Sequence, residues 1–463
     1  MVNKVEKMKT VVVKAEKGRK SDPITTGKAG LALAQNVANH LRLFSDTKKE
    51  LPSRKDPSQG YDTVSVVGSL IHGLLSGGKG YQATEPMRED TPVLNILGMK
   101  RIPSASTVEE VVKYLGKHED GHESIIRTLH RFVLRAISLC KKKDLKQAEG
   151  FVPFWADGSL LEVTGKNFDS IKTIKKERGQ MCVGAFIGRW LTGIDIAKQG
   201  EGEETVARGL IKEAMEKVIR PMHLEKDVLI LLDSLYGDEP TLEMLEKMRC
   251  KPLHIVGVNK LKQAQKTMSE LDDLYWRRKK SLETKERVIV EVSQKYLQCA
   301  EWKKKRSMVC LRWKEKDEMI WNYSGVVTNL TENDHRIKTV MEKHSFSYEE
   351  AIWYLYSRKQ GLENQWKELL RDMGLHNPPC AKAIVNAVFY AIAGLAYNLS
   401  VAIRILTLSK ELERMQLWRL RREIFDLSGY VVKHARKVII RFTDAKTKWV
   451  EKTLIAMEVV LQL

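Results

Sequence analysis

The apolar run Val228–Leu232 constrains this chain most, because five consecutive apolar residues are typical of a β-strand buried on both faces of its sheet. Such a strand needs helices on both sides, so the chain must combine helices with a sheet. Helical periodicity predicts a helix at 205–219 and another from Pro240. Further strands are predicted at 151–157, 160–164, 181–187 and 253–258. In this order the segments predict an α/β core with a mixed sheet.

The charge of the chain indicates a polyanionic partner. Its 79 Lys and Arg residues outnumber its 59 Asp and Glu residues, which gives a net charge of +20. The basic residues form clusters along the whole chain, and this dispersal suits a long phosphate backbone better than one small anion. Nucleic acid is therefore the first candidate partner and an anionic membrane surface the second. A single cluster is better explained as solvated surface, so only their sum indicates nucleic acid.

One stretch, 384–403, has no charged residue and is about long enough to span a bilayer. Asn386 and Asn398 interrupt it, and no asymmetry of loop charge fixes an orientation, so we predict a buried core helix and no membrane partner. The six cysteines have no zinc-ligand spacing, and no signal peptide precedes them. We therefore expect buried free thiols in a reducing cytoplasm.

Changes of periodicity divide the chain into regions. Residues 1–20 are charged and short of large apolar side chains, which predicts a mobile basic arm. Residues 21–145 have helical spacing and predict an N-terminal helical domain, in which Ser106 is expected to be an N-cap with Glu109 completing a capping box. The remaining regions are 146–262 for the first part of the core, 263–335 for a β-rich insertion, 336–410 for the second part of the core, and 411–463 for a basic C-terminal region.

Two acids, Asp157 and Asp233, each directly follow a predicted apolar strand. Functional side chains converge at the strand ends of open α/β sheets, so these two carboxylates could share a metal ion. The alternative is that each one caps a turn, since Asp-Gly and Asp-Ser are common turn openers.

A third acid, Glu363, lies in a predicted helix with suggestive neighbours. Tyr356 is at i−7, Lys359 at i−4 and Lys367 at i+4, so one helical face carries an acid, two cations and a phenol. Such a face could hold a divalent metal and a DNA phosphate together. An ordinary face of i,i+4 ion pairs is the alternative. Gly361 disfavours the helix and indicates a close approach of another group.

Three stretches around these acids resemble the acidic motifs of DDE transposases from bacterial insertion sequences of the cut-and-paste type. They are 157–159 (DGS), 232–237 (LDSLYG) and 356–369 (YSRKQGLENQWKEL), and the last resembles the group with a Tyr-Arg-Glu-Lys signature around its catalytic Glu. Other stretches that resemble this group are 77–78, 103–107, 396–399 and 432–440. The resemblance extends roughly from Ile24 to Arg441.

Two positions depart from that signature. The family's Arg, four residues before the Glu, is matched by Lys359, with Arg358 one position early. The family's later Lys falls on Leu370, which leaves Lys367 or Arg371 as substitutes. The helical face predicts that Lys359, more than Arg358, contacts phosphate.

The resemblance implies an α/β fold with an RNase H-like mixed-sheet catalytic core, a β-rich insertion and an N-terminal helical DNA-binding domain. Asp157, Asp233 and Glu363 would hold two Mg²⁺ or Mn²⁺ ions for DNA strand cleavage and strand transfer. The implied partners are double-stranded transposon ends and target DNA, with a homodimer when two ends are synapsed in a prokaryotic cytoplasm. The implied DNA-contacting residues are Tyr356, Arg358, Lys359, Lys367 and Arg371.

Two other functions stay open. A catalytically silent DNA-binding protein descended from a transposase would have the same charge and fold but no metal-dependent nicking. A P-loop ATPase is suggested by 73–79 (GLLSGGK), although Gly80 stands where that motif requires Ser or Thr. Near Asp233, two rival ligands, Asp238 and Glu239, are predicted instead to cap the helix that Pro240 opens.

Overall fold

The computed structural model describes residues 11–13, 25–54, 60–174, 176–259, 261–299, 301–316, 318–408, 413–434 and 437–442. The side chains of 142–143, 360–363, 432–434 and 437–438 also lie outside this description, as do those of 11–13. Most of the predicted basic arm and residues 443–463 of the predicted basic C-terminal region fall outside the described residues.

Helices dominate the N-terminal part of the described chain. A 3-10 helix, Gly80–Met87, lies between the third and fourth of them. Two short strands and seven helices make up this part: β1 (Val11–Val13), β2 (Thr25–Thr26), α1 (Leu31–His40), α2 (Leu43–Glu50), α3 (Thr63–Leu75), α4 (Thr91–Leu97), α5 (Ala105–Lys117), α6 (Gly121–Leu139) and α7 (Lys142–Leu145).

The predicted cap of α5 is wrong by two residues. Ser104 is the N-cap, and its hydroxyl accepts a hydrogen bond from the Thr107 amide (3.3 Å). Ser106 lies within the first turn. The amide of Ala105 donates to the Glu85 carboxylate (2.7 Å), a tertiary contact that stabilises this earlier start and that local spacing does not reveal.

The phosphate-loop alternative is contradicted by the fold. Residues 73–79 cover the C-terminal end of α3 and the turn after it, and a 3-10 helix follows. A phosphate loop requires a strand before it and an α-helix after it.

A single large sheet runs through the middle of the chain. Its order is β4-β5-β3-β7-β8-β12-β11-β10-β9, with β6 also pairing with β5. The β3–β7 and β7–β8 pairs are parallel and the others are antiparallel, so the sheet is mixed, as predicted. The strands are β3 (Val152–Glu162), β4 (Ile171–Ile174), β5 (Glu177–Ile187), β6 (Trp190–Ile196), β7 (Val228–Leu232), β8 (Leu253–Gly257), β9 (Arg277–Arg278), β10 (Arg287–Leu297), β11 (Arg306–Glu315) and β12 (Asn322–Thr328).

The sequence predictions of β3, β4 and β6 need correction. The two strands predicted at 151–157 and 160–164 are the single strand β3, because β5 pairs with it continuously from Phe154 to Glu162. The strands β4 and β6 were not predicted. Both pair with β5, so tertiary pairing rather than local pattern creates them.

The strands of the predicted insertion continue the core sheet. Strand β12 pairs antiparallel with β8, with Val327 opposite Val256, and β11, β10 and β9 follow outward. The insertion therefore extends the sheet beyond β8.

Helices cover the sheet, and a second small sheet joins the chain ends in the order β1-β14-β13-β2. Strand β1 lies within the predicted arm and pairs parallel with β14. The helix predicted at 205–219 is α8 followed by a π-helical turn, Met215–Ile219. The remaining α-helices and strands are α8 (Glu203–Ala214), α9 (Glu239–Lys247), α10 (Lys262–Ser269), α11 (His335–His344), α12 (Tyr348–Asp372), α13 (Ala383–Thr407), α14 (Leu417–Leu420), β13 (Gly429–His434) and β14 (Lys437–Phe442).

Helix α13 is the central helix of the core. By length and composition it could cross a membrane, yet 94% of its most apolar 18-residue segment is buried inside the protein. The amide of Asn398 accepts from the Leu191 amide (3.0 Å) and donates to the Leu191 carbonyl (2.8 Å), which explains the polar residues that interrupt the stretch. The predicted core helix is confirmed.

The cysteines agree with the prediction in part. All six are free thiols. Cys182, Cys299 and Cys310 are buried, but Cys250 is exposed, so burial was predicted too broadly.

Candidate active site

The strands β3 and β7 bring Asp157 and Asp233 to equivalent positions. These strands are parallel neighbours in which Trp155 pairs with Leu231, and each acid comes two residues after its member of that pair. Because side chains alternate along extended backbone, each carboxylate points to the same sheet face as the residue two positions before it. The sheet therefore places the two half-buried acids side by side.

Asp157 is not at the end of its strand, contrary to the sequence prediction. Strand β7 ends at Leu232, but β3 continues to Glu162 because β5 still pairs with it. Asp157 thus lies where β3 no longer pairs with β7 but still pairs with β5.

Each acid also bonds to the backbone that follows it. Asp157 Oδ1 accepts from the Gly158 amide (3.1 Å), and Asp233 Oδ1 accepts from the Ser234 amide (2.7 Å). The turn-capping alternative therefore describes a real contact of Asp233, which precedes a 3-10 turn, Ser234–Tyr236. A carboxylate has further lone pairs, so this contact leaves oxygen free to act as a ligand.

Helix α12 covers the two acids. It starts at a capping box in which the Ser347 hydroxyl accepts from the Glu350 amide and Glu350 Oε2 accepts from the Ser347 amide (2.7 Å). Ile352 and Leu355 then pack in the same apolar cluster as Leu231 of β7. The start of the helix is thereby fixed on the face of the sheet that carries the acids.

Tyr356 reaches the end of β8. Its hydroxyl would lie 2.5 Å from a Cβ at Gly257, and the Ser234 amide would lie 2.9 Å from the same point. Glycine at 257 therefore permits the tyrosine and the turn after Asp233 to meet.

Lys359 reaches the end of β7. Its Nζ is 4.0 Å from Asp233 Oδ1, and its side chain is only 9% exposed. Arg358 is turned elsewhere, with its guanidinium 4.4 Å from the centre of the Tyr354 ring and 3.5 Å from Glu149 Oε1. The structure thus brings Lys359 to the acids and places Arg358 away from them.

Trp366 reaches β5 further along the same helix. Its Cζ3 would lie 2.5 Å from a Cβ at Gly184, and its ring meets Phe186 edge-on at 5.8 Å. Gly184 is the residue of β5 that pairs directly with Asp157.

The other predicted site residues of α12 are less informative. Lys367 and Arg371 are exposed and lie beyond the stretch that contacts the acids. The helix includes Glu363, but the side chains of 360–363 lie outside the described residues, so its predicted role as a ligand stays a prediction. Among the side chains that are described, no group of three His, Cys, Asp or Glu residues is arranged to hold a metal ion.

The environment of Asp157 disfavours its charge. Burial is the main cause, and it raises the pKa of Asp157 to about 6. The Lys359 ammonium opposes this shift, while the negative charges of Glu203 and Asp233 reinforce it. A site that concentrates carboxylates in this way is suited to a cation.

Sequence reasoning missed Glu203 and Tyr236. Glu203 begins α8, and its carboxyl carbon would lie 2.5 Å from a Cβ at Gly158, next to Asp157. The buried Tyr236 hydroxyl donates to Glu203 Oε1 at 2.6 Å. Nothing local marks Glu203, although Tyr236 lies in the conspicuous stretch after Asp233.

The two rival ligands are held by arginines. Asp238 is the N-cap of α9 by position, but its side chain accepts from Arg208 Nη1 (2.9 Å) and makes no capping bond, contrary to prediction. Glu239 accepts from Arg306 Nη1 (2.6 Å) and Nη2 (3.1 Å). Both acids are therefore neutralised outside the site.

One comparison with known proteins assigns the chain to a family. The family model described as Transposase DDE domain group 1 matches residues 196–460, which is more than half of the chain and contains Asp233 and Glu363. No curated protein matches the chain. One solved structure, described as the cryo-EM structure of piggyBac transposase synaptic complex with hairpin DNA, is similar over 89% of this chain and 83% of that chain, with 9% identity and a TM-score of 0.38. That structural similarity is too low to carry an argument. The family match is sufficient by itself, because it covers more than half of the chain. The chain therefore belongs to the transposase DDE domain group 1 family and is a DDE transposase.

Proposed function

We propose that this transposase cleaves DNA strands at transposon ends and transfers them to target DNA in metal-dependent reactions. Asp157, Asp233 and Glu363 are the proposed metal-binding acids. We further propose that the mixed sheet carrying them is an RNase H-like core, which its parallel β3, β7 and β8 and antiparallel β5 support.

The path of α12 across the sheet carries this proposal. Its contacts at Tyr356, Lys359 and Trp366 fall on β8, β7 and β5 in turn, and β3 lies between β7 and β5. Position 363 is four residues after Lys359 and three before Trp366, so it belongs to the same stripe of the helix. The helix therefore passes over β3, the strand of Asp157, near Glu363.

The donor set fits a divalent cation. Asp157 and Asp233 offer hard oxygen ligands on one face, and their mutual repulsion is what a bound cation would relieve. With Glu363 they would hold two ions. Mg²⁺ or Mn²⁺, when bound, would supply charge neutralisation and Lewis-acid polarisation of the scissile phosphate.

Lys359 has a separate role in this proposal. Its ammonium is nearly buried beside Asp233, where it favours the ionised form of Asp157. The same ammonium could donate to a phosphate oxygen of DNA bound at the acids. Tyr356, one turn earlier, would limit where that phosphate lies.

The proposed partners are double-stranded transposon ends and target DNA, with a homodimer when two ends are synapsed. The net charge of +20 supports a DNA partner. The positions of Tyr356 and Lys359 relative to Glu363 support membership of the Tyr-Arg-Glu-Lys group of insertion-sequence transposases, with Lys in place of Arg.

The test is cleavage of DNA that carries the ends of the element, measured in single turnover with Mg²⁺ or Mn²⁺ and with a chelator. Asp157→Asn, Asp233→Asn and Glu363→Gln should each slow cleavage by at least about a hundredfold while DNA binding stays close to wild type. Asp238→Asn is the matched control, because this nearby acid is bound to Arg208, and it should keep cleavage.

Two results would contradict the proposal. Cleavage at the wild-type rate by one of the three variants would remove that residue from the site. A wild-type protein that binds the ends but never nicks them with either metal would instead favour the catalytically silent alternative.

A further inference from the structure

A cavity of about 690 Å³ lies within the N-terminal helical domain. Residues of α1, α2, α3 and the end of α4 line it, and none of the active-site residues does. Its volume is in the range of pockets that hold small organic ligands. It is therefore a second candidate site, separate from the carboxylates.

The wall of this cavity contains a buried hydrogen-bond acceptor. His72 is 2% exposed, and its Nδ1 is 2.8 Å from the Gly68 carbonyl one turn earlier, so Nδ1 carries the proton. Burial lowers the pKa of His72 to about 4, which keeps the imidazole neutral. Nε2 is then a buried acceptor, and it has no hydrogen-bond partner among the described residues. A buried acceptor without a partner is costly, so an N–H donor inside the cavity would be favoured.

The cavity also has aromatic walls. The Phe44 ring stacks on the His72 imidazole with 5.6 Å between ring centres and 27° between ring planes. Tyr61 lines the cavity as well, with the Arg101 guanidinium 4.5 Å from the centre of its ring. Flat aromatic walls favour a flat aromatic ligand over an aliphatic one.

The rim of the cavity is basic. Arg42 and Lys48 line it and are exposed, and Arg54 lines it while pairing with Glu110. Asp62 is the acid of the lining, and its carboxylate is occupied as the N-cap of α3 by the Ser65 amide (2.6 Å). The rim therefore attracts an anion, and a phosphate is the anion that such side chains bind best.

We propose that this cavity binds a nucleotide, with the base between the aromatic walls donating an N–H to His72 Nε2 and the phosphate held at Lys48 and Arg42. The inference extends the proposed function, because a base rotated out of bound DNA and a free nucleotide have the same chemistry. Both sources would satisfy the acceptor, the walls and the rim together.

The first arm of the test is calorimetric titration of the protein with deoxyadenosine 5′-monophosphate, with deoxyribose 5-phosphate as the probe that lacks a base. His72→Phe keeps a flat ring and removes the acceptor, and it should weaken nucleotide binding by at least about tenfold. Val64→Trp fills the cavity from α3 and should have the same effect by exclusion. Lys48→Gln should weaken binding severalfold. Lys49→Gln, the adjacent exposed lysine of α2 that does not line the cavity, should not.

The second arm uses a short duplex of the element's end in which 2-aminopurine replaces single bases. A rise in its emission on binding that is lost in His72→Phe and Val64→Trp identifies a DNA base as the source, and nucleotide binding without that rise identifies the free nucleotide. Equal nucleotide affinity in wild type, His72→Phe and Val64→Trp overturns the proposal, as does binding of neither probe. Melting curves of the variants establish that they fold.

Failure here and failure of the proposed function are distinguishable. Titration with the mononucleotide needs neither metal nor cleavage, so it tests the cavity alone. Cleavage that depends on Asp233 while no nucleotide binds would remove the cavity proposal and leave the transposase mechanism standing.

Discussion

Trp366 lies against Gly184 so closely that a Cβ at residue 184 would be 2.5 Å from its Cζ3. Gly184 pairs directly with Asp157 across β3 and β5. The missing side chain at 184 therefore sets how closely α12 approaches the strand that carries the first acid. In the proposed mechanism the distance between this helix and the acids must be tightly controlled, since catalytic groups must be held within fractions of an ångström.

We expect Gly184→Ala to slow strand cleavage by about tenfold or more, because the added methyl group must push Trp366 and α12 away from the sheet. The control is Gly209→Ala in α8, where a Cβ would meet nothing within 4 Å. That variant should cleave normally and be more stable by roughly 1 kcal/mol, as expected for alanine in a helix. Single-turnover cleavage and urea unfolding would measure both effects. Wild-type cleavage by Gly184→Ala would show that the helix position is not critical.

Lys359 and Arg358 should differ in their importance. Lys359→Met removes the ammonium beside Asp233 and should slow cleavage by about tenfold or more, since it faces the reacting phosphate in the proposed mechanism. Arg358→Met should have a smaller effect, because Arg358 lies on Tyr354 and near Glu149. Cleavage rates and DNA affinities of the two variants would be compared directly. The reverse order of losses would mean that the helix turns differently when DNA is bound.

Glu203 should control the ionisation of Asp157. The pKa of Asp157 is raised to about 6, mainly by burial, and the Glu203 charge adds to this shift. Glu203→Gln removes that charge and should lower the pKa, because the ionised form of Asp157 then meets less repulsion. Carboxyl carbon NMR of the metal-free protein across an acid titration would show the change. Tyr236→Phe keeps the charge of Glu203 and should shift the Asp157 pKa less, so equal shifts would contradict this explanation.

Acid should destabilise the fold through buried histidines such as His130. Its Nε2 is 2.7 Å from the Thr192 carbonyl, and burial lowers its pKa from 6.5 to about 4. In the unfolded chain His130 therefore binds a proton below about pH 6.5, whereas in the folded chain it stays neutral until about pH 4. Stability is lost as the pH falls through this window, by about 3 kcal/mol for this residue.

Urea unfolding at pH values between about 7 and 4 would measure this loss. His130→Phe should make the unfolding free energy depend less steeply on pH between about 6.5 and 4. Above about pH 6.5 the dependence should not change, since the imidazole is neutral there in both the folded and the unfolded state. An unchanged slope within the window would assign the acid sensitivity to other groups.

The buried pair of Arg404 and Glu368 should hold α12 on α13. Arg404 Nη1 is 2.7 Å from Glu368 Oε1, and their side chains are 1% and 8% exposed. Arg404→Met leaves a buried carboxylate without its counter-ion, although the Leu417 amide still donates to it, and should cost about 3 to 5 kcal/mol of unfolding free energy. The double variant Arg404→Met with Glu368→Met should recover part of that loss in the same urea experiment. A double variant less stable than the single one would show that the pair is not the unit of stability.

The sequence by itself determined the parts of this protein that depend on short-range pattern. Val228–Leu232 was recognisable as a buried strand because every residue is apolar, and α13 because its length and lack of charge fit a core helix. The stripe of Tyr356, Lys359 and Glu363 was recognisable because helical spacing is regular. Lys359 rather than Arg358 was expected to contact phosphate for the same reason. The structure places Lys359 beside Asp233, and the phosphate contact stays a prediction.

Only the tertiary structure decided which distant residues meet. Asp157 and Asp233 lie side by side because β3 and β7 pair in parallel with one register, and no local signal encodes that register. Glu203 joins them because α8 returns to the end of β3, and Trp366 fits because β5 has a glycine opposite Asp157. The cavity around His72 likewise forms between four helices. Strand pairing and helix packing depend on contacts far apart in the chain, so the sequence could offer the carboxylates as candidates but could not identify their neighbours.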